Sequence, residues 1–197
     1  MVCRITAGRF KGRLLKTPKG QKTRPSNSRV REALFNILGQ TMQDYWFYDF
    51  YAGSGAMGLE ALSRGARGIF YVESSRSAMQ CLKANLRQMA CRDESRAFQA
   101  KLPAWLRSDD FELHLPACFF IDPPYREGLA EKTMAALAEI AEEKQEADWT
   151  DSVCAVQAES GLDLPERFGP WSLRKKYSHG DTALFIYDYD QSRESQD

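Results

Sequence analysis

The stretch "DFYAGSGAMGLEALSRGA", Asp49 to Ala66, decides how the chain is read. Gly53, Gly55 and Gly58 form a G-x-G-x-x-G, set after the apolar run "YWFYDFYA" and before a helix-like segment. Glycines at this spacing let a strand turn sharply into a helix and let a ligand approach the backbone closely. The pattern alone leaves three readings open: a dinucleotide site, a site for another nucleoside, or a tight turn that holds nothing.

The surrounding pattern alternates strand and helix. Residues 45–52, 68–73, 117–122, 152–159 and 182–190 are short, aromatic and β-branched, with a weaker strand at 96–100. Helical runs occupy 56–64, 75–89 and 126–144 between them. Such alternation predicts an α/β fold with a mostly parallel sheet covered by helices on both faces. Sheets of this kind take ligands at the carboxyl ends of their strands. The glycine loop follows the first of these strands, and Glu73 closes the second.

Two further features bear on the ligand. Asp49 precedes the glycine loop, where a carboxylate suits a positively charged α-ammonium and sits awkwardly beside a pyrophosphate. "FFIDPPY", Phe119 to Tyr125, ends a later strand, because two consecutive prolines cannot continue a ladder. Asp122 and the Pro123 carbonyl are thereby left at the carboxyl edge, able to accept both hydrogens of a nucleobase amino group, while Tyr125 stacks on the ring. This holds an amino nitrogen ready for an electrophilic methyl group by positioning and polar contacts, without a strong base. S-adenosylmethionine fits both features, with Glu73 accepting from its ribose hydroxyls.

Composition narrows the class. The chain has 197 residues, 43% hydrophobic and 12% aromatic, enough for a real core. No segment reads as a secretory signal or a membrane span, so a cytoplasmic protein is expected. Cys3, Cys81, Cys91, Cys118 and Cys154 are scattered and odd in number, and only His114 and His179 are histidines; free thiols and no metal site are expected.

The net charge of zero conceals an uneven distribution. Residues 1–31 carry ten Lys and Arg and no acid, leaving 17 basic against 27 acidic residues in the remainder. "CRITAGRFKGRLLKTP" alternates apolar and basic positions around the turn "GRFKG", as a hairpin would. An amphipathic helix follows, with Val30, Ala33, Leu34, Ile37 and Leu38 on one face after a Ser/Asn cap. Clustered cations on an ordered arm imply a nucleic acid, with Arg4, Arg9, Lys11, Arg13, Lys16, Lys22, Arg24, Arg29 and Arg31 as candidate RNA contacts. The expected organisation is a basic extension over 1–39, a catalytic domain over 40–190 and a loose tail over 191–197.

Together, "RITAGRFKGRLLKTPKGQKTRPSNSRVREALFNIL", "DFYAGSGAMGLEALSRGA", "YVE" and "IDPPY" resemble the RsmD family, methyltransferases acting on the exocyclic amino group of a guanine in small-subunit (16S) ribosomal RNA. The resemblance runs in order from Arg4 to about Tyr125, and "KKYSHGDTALFIYDYD" is similar in kind. It implies a Rossmann-like class I S-adenosylmethionine-dependent methyltransferase, a seven-stranded sheet with an N-terminal β-hairpin, acting on ribosomal RNA or a small-subunit assembly intermediate; a single domain that acts on so large a particle is expected to be a monomer. By matched position, Asp49, Ala52, Gly53, Ser54 and Gly55 would hold the methionine part of the cofactor and Glu73 with Ser74 its ribose. Ala100 would lie near the adenine, and Asp122, Pro123, Pro124 and Tyr125 would hold the target base. The family usually has Asp at the position of Ser28, and Asp or Asn where this chain offers only Ala100 and Lys101. An adenine-specific amino-methyltransferase and a non-catalytic assembly factor are the competing readings; a nicotinamide-dependent oxidoreductase would leave "DPPY" and the arm without a role.

Overall fold

In the computed structural model, which describes residues 3–18, 26–124 and 128–190, the centre of the molecule is the aromatic strand β3 (Trp46–Phe50). Side chains alternate along it. Phe47 joins one apolar cluster, Tyr48 and Phe50 the cluster on the opposite face, and Asp49 shares the face of Phe47. Parallel neighbours are β4 (Gly68–Val72) and β6 (Ala117–Ile121), with β5 (Ser95–Phe98) outside β4 and β7 (Val153–Glu159) outside β6. Then β10 (Thr182–Tyr189) pairs antiparallel with β7 and with β9 (Trp171–His179), and the two-residue β8 (Arg167–Phe168) ends the order β5-β4-β3-β6-β7-β10-β9-β8. Seven full strands thus form the expected mostly parallel sheet, with β8 as a short edge pair.

β9 is the strand that the pattern of apolar residues does not announce. A bulge between Ile186 and Tyr187 of its partner slips the register beside Arg174, so three successive cations, Arg174 to Lys176, break the alternation by which a strand is read.

The helices make two outer layers. α1 (Ser26–Leu38), α2 (Ala56–Ser63) and α3 (Arg76–Met89) cover one face, and α4 (Leu129–Glu143) with a short 3-10 turn at Ala104–Arg107 covers the other. Every residue from Met57 to Ser63 is buried, so α2 is the apolar spine of its layer. Among the described residues no helix is long and apolar enough to cross a membrane.

The N-terminal hairpin pairs β1 (Cys3–Arg4) with β2 (Leu14–Leu15), and its turn is closed by Gly12 N–H to the Ile5 carbonyl at 2.9 Å. Ile5, Leu15, Val30, Leu34 and Phe35 share one buried cluster with Phe47 and Leu59, so the described hairpin and α1 pack as part of the sheet's own core. The hairpin turn lies at the amino edge of the sheet. Arg9 N–H bonds the carbonyl of Ser63 at the end of α2 (2.8 Å), and a Cβ on Gly8, whose φ is +75°, would meet that oxygen at 1.7 Å. Only glycine fits there.

A buried carboxylate clamps this junction. Glu60 on α2, fully buried, accepts from Thr6 N–H (2.9 Å), Thr6 Oγ1 (2.7 Å) and Ala7 N–H (3.0 Å), and pairs with Arg64 (3.1 Å) and Arg31 (3.5 Å). A buried charge persists only when satisfied in this way. Its sequence signal is a lone charge inside an apolar helix, "MGLEAL".

Candidate active site

The edge that matters is formed by the carboxyl ends of β4, β3 and β6. β3 leaves the sheet through Tyr51, whose φ of 62° is rare for a bulky residue, and its hydroxyl lies 2.8 Å from Thr133 Oγ1 on α4. Phe50 is core, as its neighbours predict, but Tyr51 is half-buried and shapes the turn rather than filling the interior. Ala52 N–H then bonds the Val72 carbonyl at 3.1 Å, and Gly53 (φ 56°) and Gly55 (φ 76°) complete the turn into α2. A Cβ on Gly53 would meet nothing within 4 Å, so this glycine borders open space. The three motif glycines therefore differ: Gly53 faces open space, while a Cβ on Gly55 or Gly58 would strike Leu82 at 2.2 Å or Tyr71 at 2.4 Å.

Carboxylates organise the loop. Asp49 Oδ2 accepts from Gly58 N–H at 2.9 Å, in the first turn of α2, where a helix favours negative charge. Glu73 accepts from Gly53 N–H at 2.8 Å and from Ser75 N–H at 2.7 Å, which ties the glycine loop to the start of α3. With two oxygens and about four acceptor positions, a carboxylate so held still accepts further hydrogen bonds. Ser74 is exposed beside it, and Ser75 caps α3 by accepting from Ala78 N–H at 3.4 Å.

Asp122 is half-buried just past β6, its N–H on the Phe50 carbonyl at 3.4 Å; Pro123 is buried and Pro124 exposed. Burial drives the Asp49 carboxyl well above the usual carboxylate range; the Gly58 N–H opposes this, and the charges of Asp122 and Glu73 add to it. Asp49 therefore lies close enough to Asp122 and Glu73 to feel both charges. Ala100 lies past β5, its N–H on the Glu73 carbonyl at 3.2 Å, and contributes only a methyl group, with Lys101 exposed next to it. A cleft of about 190 Å³ opens beside the motif between Pro123, Pro124, Leu129, Gln157 and Glu159.

Asn85 is a residue that the sequence reading missed. Buried on α3, it donates from Nδ2 to the carbonyls of Ser54 (2.9 Å) and Lys16 (3.0 Å), and its Oδ1 accepts from Lys16 N–H (2.8 Å). It fastens the end of the basic hairpin to the glycine loop. Contacts spanning 31 and 69 residues leave no local trace in a sequence.

The basic residues separate into groups. Arg31 is not a surface cation: it is buried against Glu60, with NH2 on the Arg4 carbonyl at 2.9 Å, so its expected RNA contact is corrected to a structural role. Arg9 is exposed but already paired with Glu94 at 2.6 Å. Together with exposed Lys11 and Arg13 it sits at the amino edge, across the sheet from Asp122; Arg13 bonds the Gln88 carbonyl at 3.3 Å. Arg4 is exposed on β1, Lys16 is exposed beside the glycine loop, and Arg29 is exposed at the start of α1. Tyr125, Lys22, Arg24 and the tail 191–197 lie outside the described residues.

With this geometry in place, the relatives can be compared. A family model described as "Conserved hypothetical protein 95" matches residues 3–188. The chain belongs to this family, the RsmD family. It is 33% identical over 194 residues to "Ribosomal RNA small subunit methyltransferase D" of Escherichia coli (strain K12), covering 98% of this chain and 92% of the relative. It is 30% identical over 193 residues to "Putative rRNA methyltransferase YlbH" of Bacillus subtilis (strain 168), covering 93% and 97%. Among solved structures it superposes on "Putative methyltransferase yhhF from Escherichia coli" with a TM-score of 0.77 at 32% identity, covering 96% and 99% of the two chains. The fold of this family member is that of a class I S-adenosylmethionine-dependent methyltransferase.

Proposed function

We propose that this protein transfers a methyl group from S-adenosylmethionine to the exocyclic 2-amino group of a guanine in small-subunit ribosomal RNA. The observation that carries the reading is the convergence of Asp49, Glu73 and Asp122 on one carboxyl edge, beneath a glycine that opens on empty volume. The family membership and the ribosomal RNA methyltransferases among its relatives support the substrate class.

The chain's residues divide the work. Gly53 and Gly55 admit the methionine part, Asp49 supplies the negative field toward its ammonium group, and Glu73 accepts from the ribose hydroxyls. Ala100 gives the adenine an apolar surface without an amide or carboxylate partner. S-adenosylmethionine, when bound, supplies an electrophilic methyl group. Asp122 and the Pro123 carbonyl accept the two amino hydrogens and hold the nitrogen toward that methyl; Pro123 and Pro124 fix the backbone that presents them, and Tyr125 stacks on the base. Once nitrogen has gained its new bond its extra proton becomes acidic, and Asp122 or water takes it. Positioning and preorganised polar contacts provide the rate.

The test is transfer of tritium from labelled S-adenosylmethionine to small ribosomal subunits from cells lacking the enzyme, followed by nucleoside analysis. Label in N2-methylguanosine is the expected result. Label in an N-methylated adenosine would replace guanine by adenine. Calorimetric binding of the cofactor with no transfer to any RNA would overturn the proposed substrate.

A further inference from the structure

His179 takes no part in the chemistry above, yet the topology carries it to the same edge. Ile121, the last residue of β6, lies opposite Val156, whereas β7 continues to Glu159, opposite Thr182, which is itself opposite His179. The β9–β10 turn therefore overhangs the β6 edge by roughly 10 Å, at about 3.3 Å per residue. It stands three strands away from β6, roughly 14 Å along the sheet. α1 begins at the same corner, where Arg29 donates to His179 Nε2 at 3.1 Å across 150 positions of sequence.

Arg29 is held by a neutral acceptor, as Arg13 is by the Gln88 carbonyl and Arg87 by the Lys83 carbonyl. Arg9, Arg64, Arg96, Arg107, Arg167 and Arg174 each lie against a carboxylate, but Arg29 is held by a ring nitrogen that accepts its N–H and carries no proton there. Its side chain is thereby placed, and among the described residues no carboxylate lies at ion-pair distance from it. Alternation down β9 from His179 brings Tyr177 and then Lys175 to the same face, opposite Leu184 and Ile186 of the cluster that α1 covers. Tyr177 is half-buried against that cluster, and Lys175 is exposed with no described carboxylate at ion-pair distance. On the opposite face Lys176 is spent on Asp163 at 2.7 Å, while Arg174 at the bulge pairs at 3.3 Å with Asp188, which shares the face of Leu184 and Ile186.

The geometry points to a nucleic-acid contact built from Arg29, His179, Tyr177 and Lys175, which holds the phosphate backbone of single-stranded RNA a few nucleotides from the target base. Cations with an interleaved aromatic ring are the elements by which single strands are held. The overhang forms a wall beside the Asp122 cleft, so a strand lying against it leads into the site. The inference rests on the RNA reading given above and extends it to the C-terminal hairpin.

The experiment measures binding of 16S ribosomal RNA to the full chain as a function of salt, alongside methyl transfer to small subunits. Arg29→Ala and Lys175→Ala are each expected to weaken RNA binding about three- to tenfold and to flatten the slope of log K against log salt by about 0.7. His179→Ala should weaken binding about two- to threefold through the loss of Arg29 placement, and Arg29→Lys should restore the slope. Lys83→Gln, an exposed cation on α3, which packs at the far, β5 end of the sheet, serves as the control. Cofactor affinity and Tm should stay at the wild-type values in all of them, and the cost in transfer should fall on KM for subunits. Wild-type slopes in both Arg29→Ala and Lys175→Ala overturn the contact even if the wild type methylates RNA. Flattened slopes in a protein that methylates no RNA would keep the contact and refute the methyl-transfer reading. A wild type that binds no RNA refutes both.

Discussion

Glu60 and Asp49 are both buried carboxylates on the same strand-to-helix unit, and they are treated in opposite ways. Glu60 is surrounded by two guanidinium groups, two backbone N–H groups and a hydroxyl, all supplied by the chain. Asp49 has the single N–H of Gly58 and faces two other acids. The fold surrounds one with partners and leaves the other with a single N–H. The comparison separates an anchor from a binding group more sharply than burial does, since both residues are almost wholly buried.

Substitution tests this contrast. Glu60→Ala should cause the largest loss of stability, about 3–5 kcal/mol, because it strands Arg31 and Arg64 in the interior; denaturant unfolding measures it, and a loss below about 1 kcal/mol would refute the anchor. Asp122→Ala should leave the fold and cofactor affinity near wild type and cut kcat by about 10²–10³, the usual cost of removing one preorganised polar contact. An equal loss of cofactor binding would move Asp122 out of the catalytic role.

Glu73→Ala should weaken cofactor binding about 10- to 100-fold, as loss of charged hydrogen bonds worth about 1.5–3 kcal/mol implies. Calorimetry checks this, and an unchanged Kd would reassign Glu73 to loop structure alone. The smallest effect is expected at Asp49→Asn. A carboxyl raised by burial favours the folded state while protonated, and that advantage fades as pH rises through its elevated value. Asparagine keeps an acceptor for Gly58 without the charge. Its Tm relative to wild type should therefore climb between pH 5 and pH 8, at roughly 2–4 °C per kcal/mol for a chain of this size, while cofactor affinity falls several-fold. A constant Tm difference across that range would show that the Asp49 carboxyl is not raised and stays ionised throughout it.

These contrasts also mark what the sequence discloses. The loop was legible because its geometry is written in local chemistry: glycines at positive φ, an acid before them, another 20 residues on from Gly53, and prolines that must stop a strand. Strand alternation yielded the sheet except at β9, where the bulge disturbs the period. The charge count of the first 31 residues was legible as a total but not as an arrangement. Nothing near Arg31 shows that it will be drawn inward by Glu60, nor that Arg9 will be paired with Glu94, 85 positions away. Asn85 and His179 escaped notice for the same reason, since each acts through partners distant in sequence.

The hairpin that docks beneath α2 sets an order of events during synthesis. Its first residues leave the ribosome long before Glu60 exists to receive them, and α1 must wait longer still for β10 and His179. A chain interrupted after α4 would possess the glycine loop and the Asp122 turn but lack the C-terminal wall and the strands that cover α1. On the reading proposed above, the residues for the methyl donor are thus synthesised before the C-terminal wall, which waits for β9 and β10 to join the sheet.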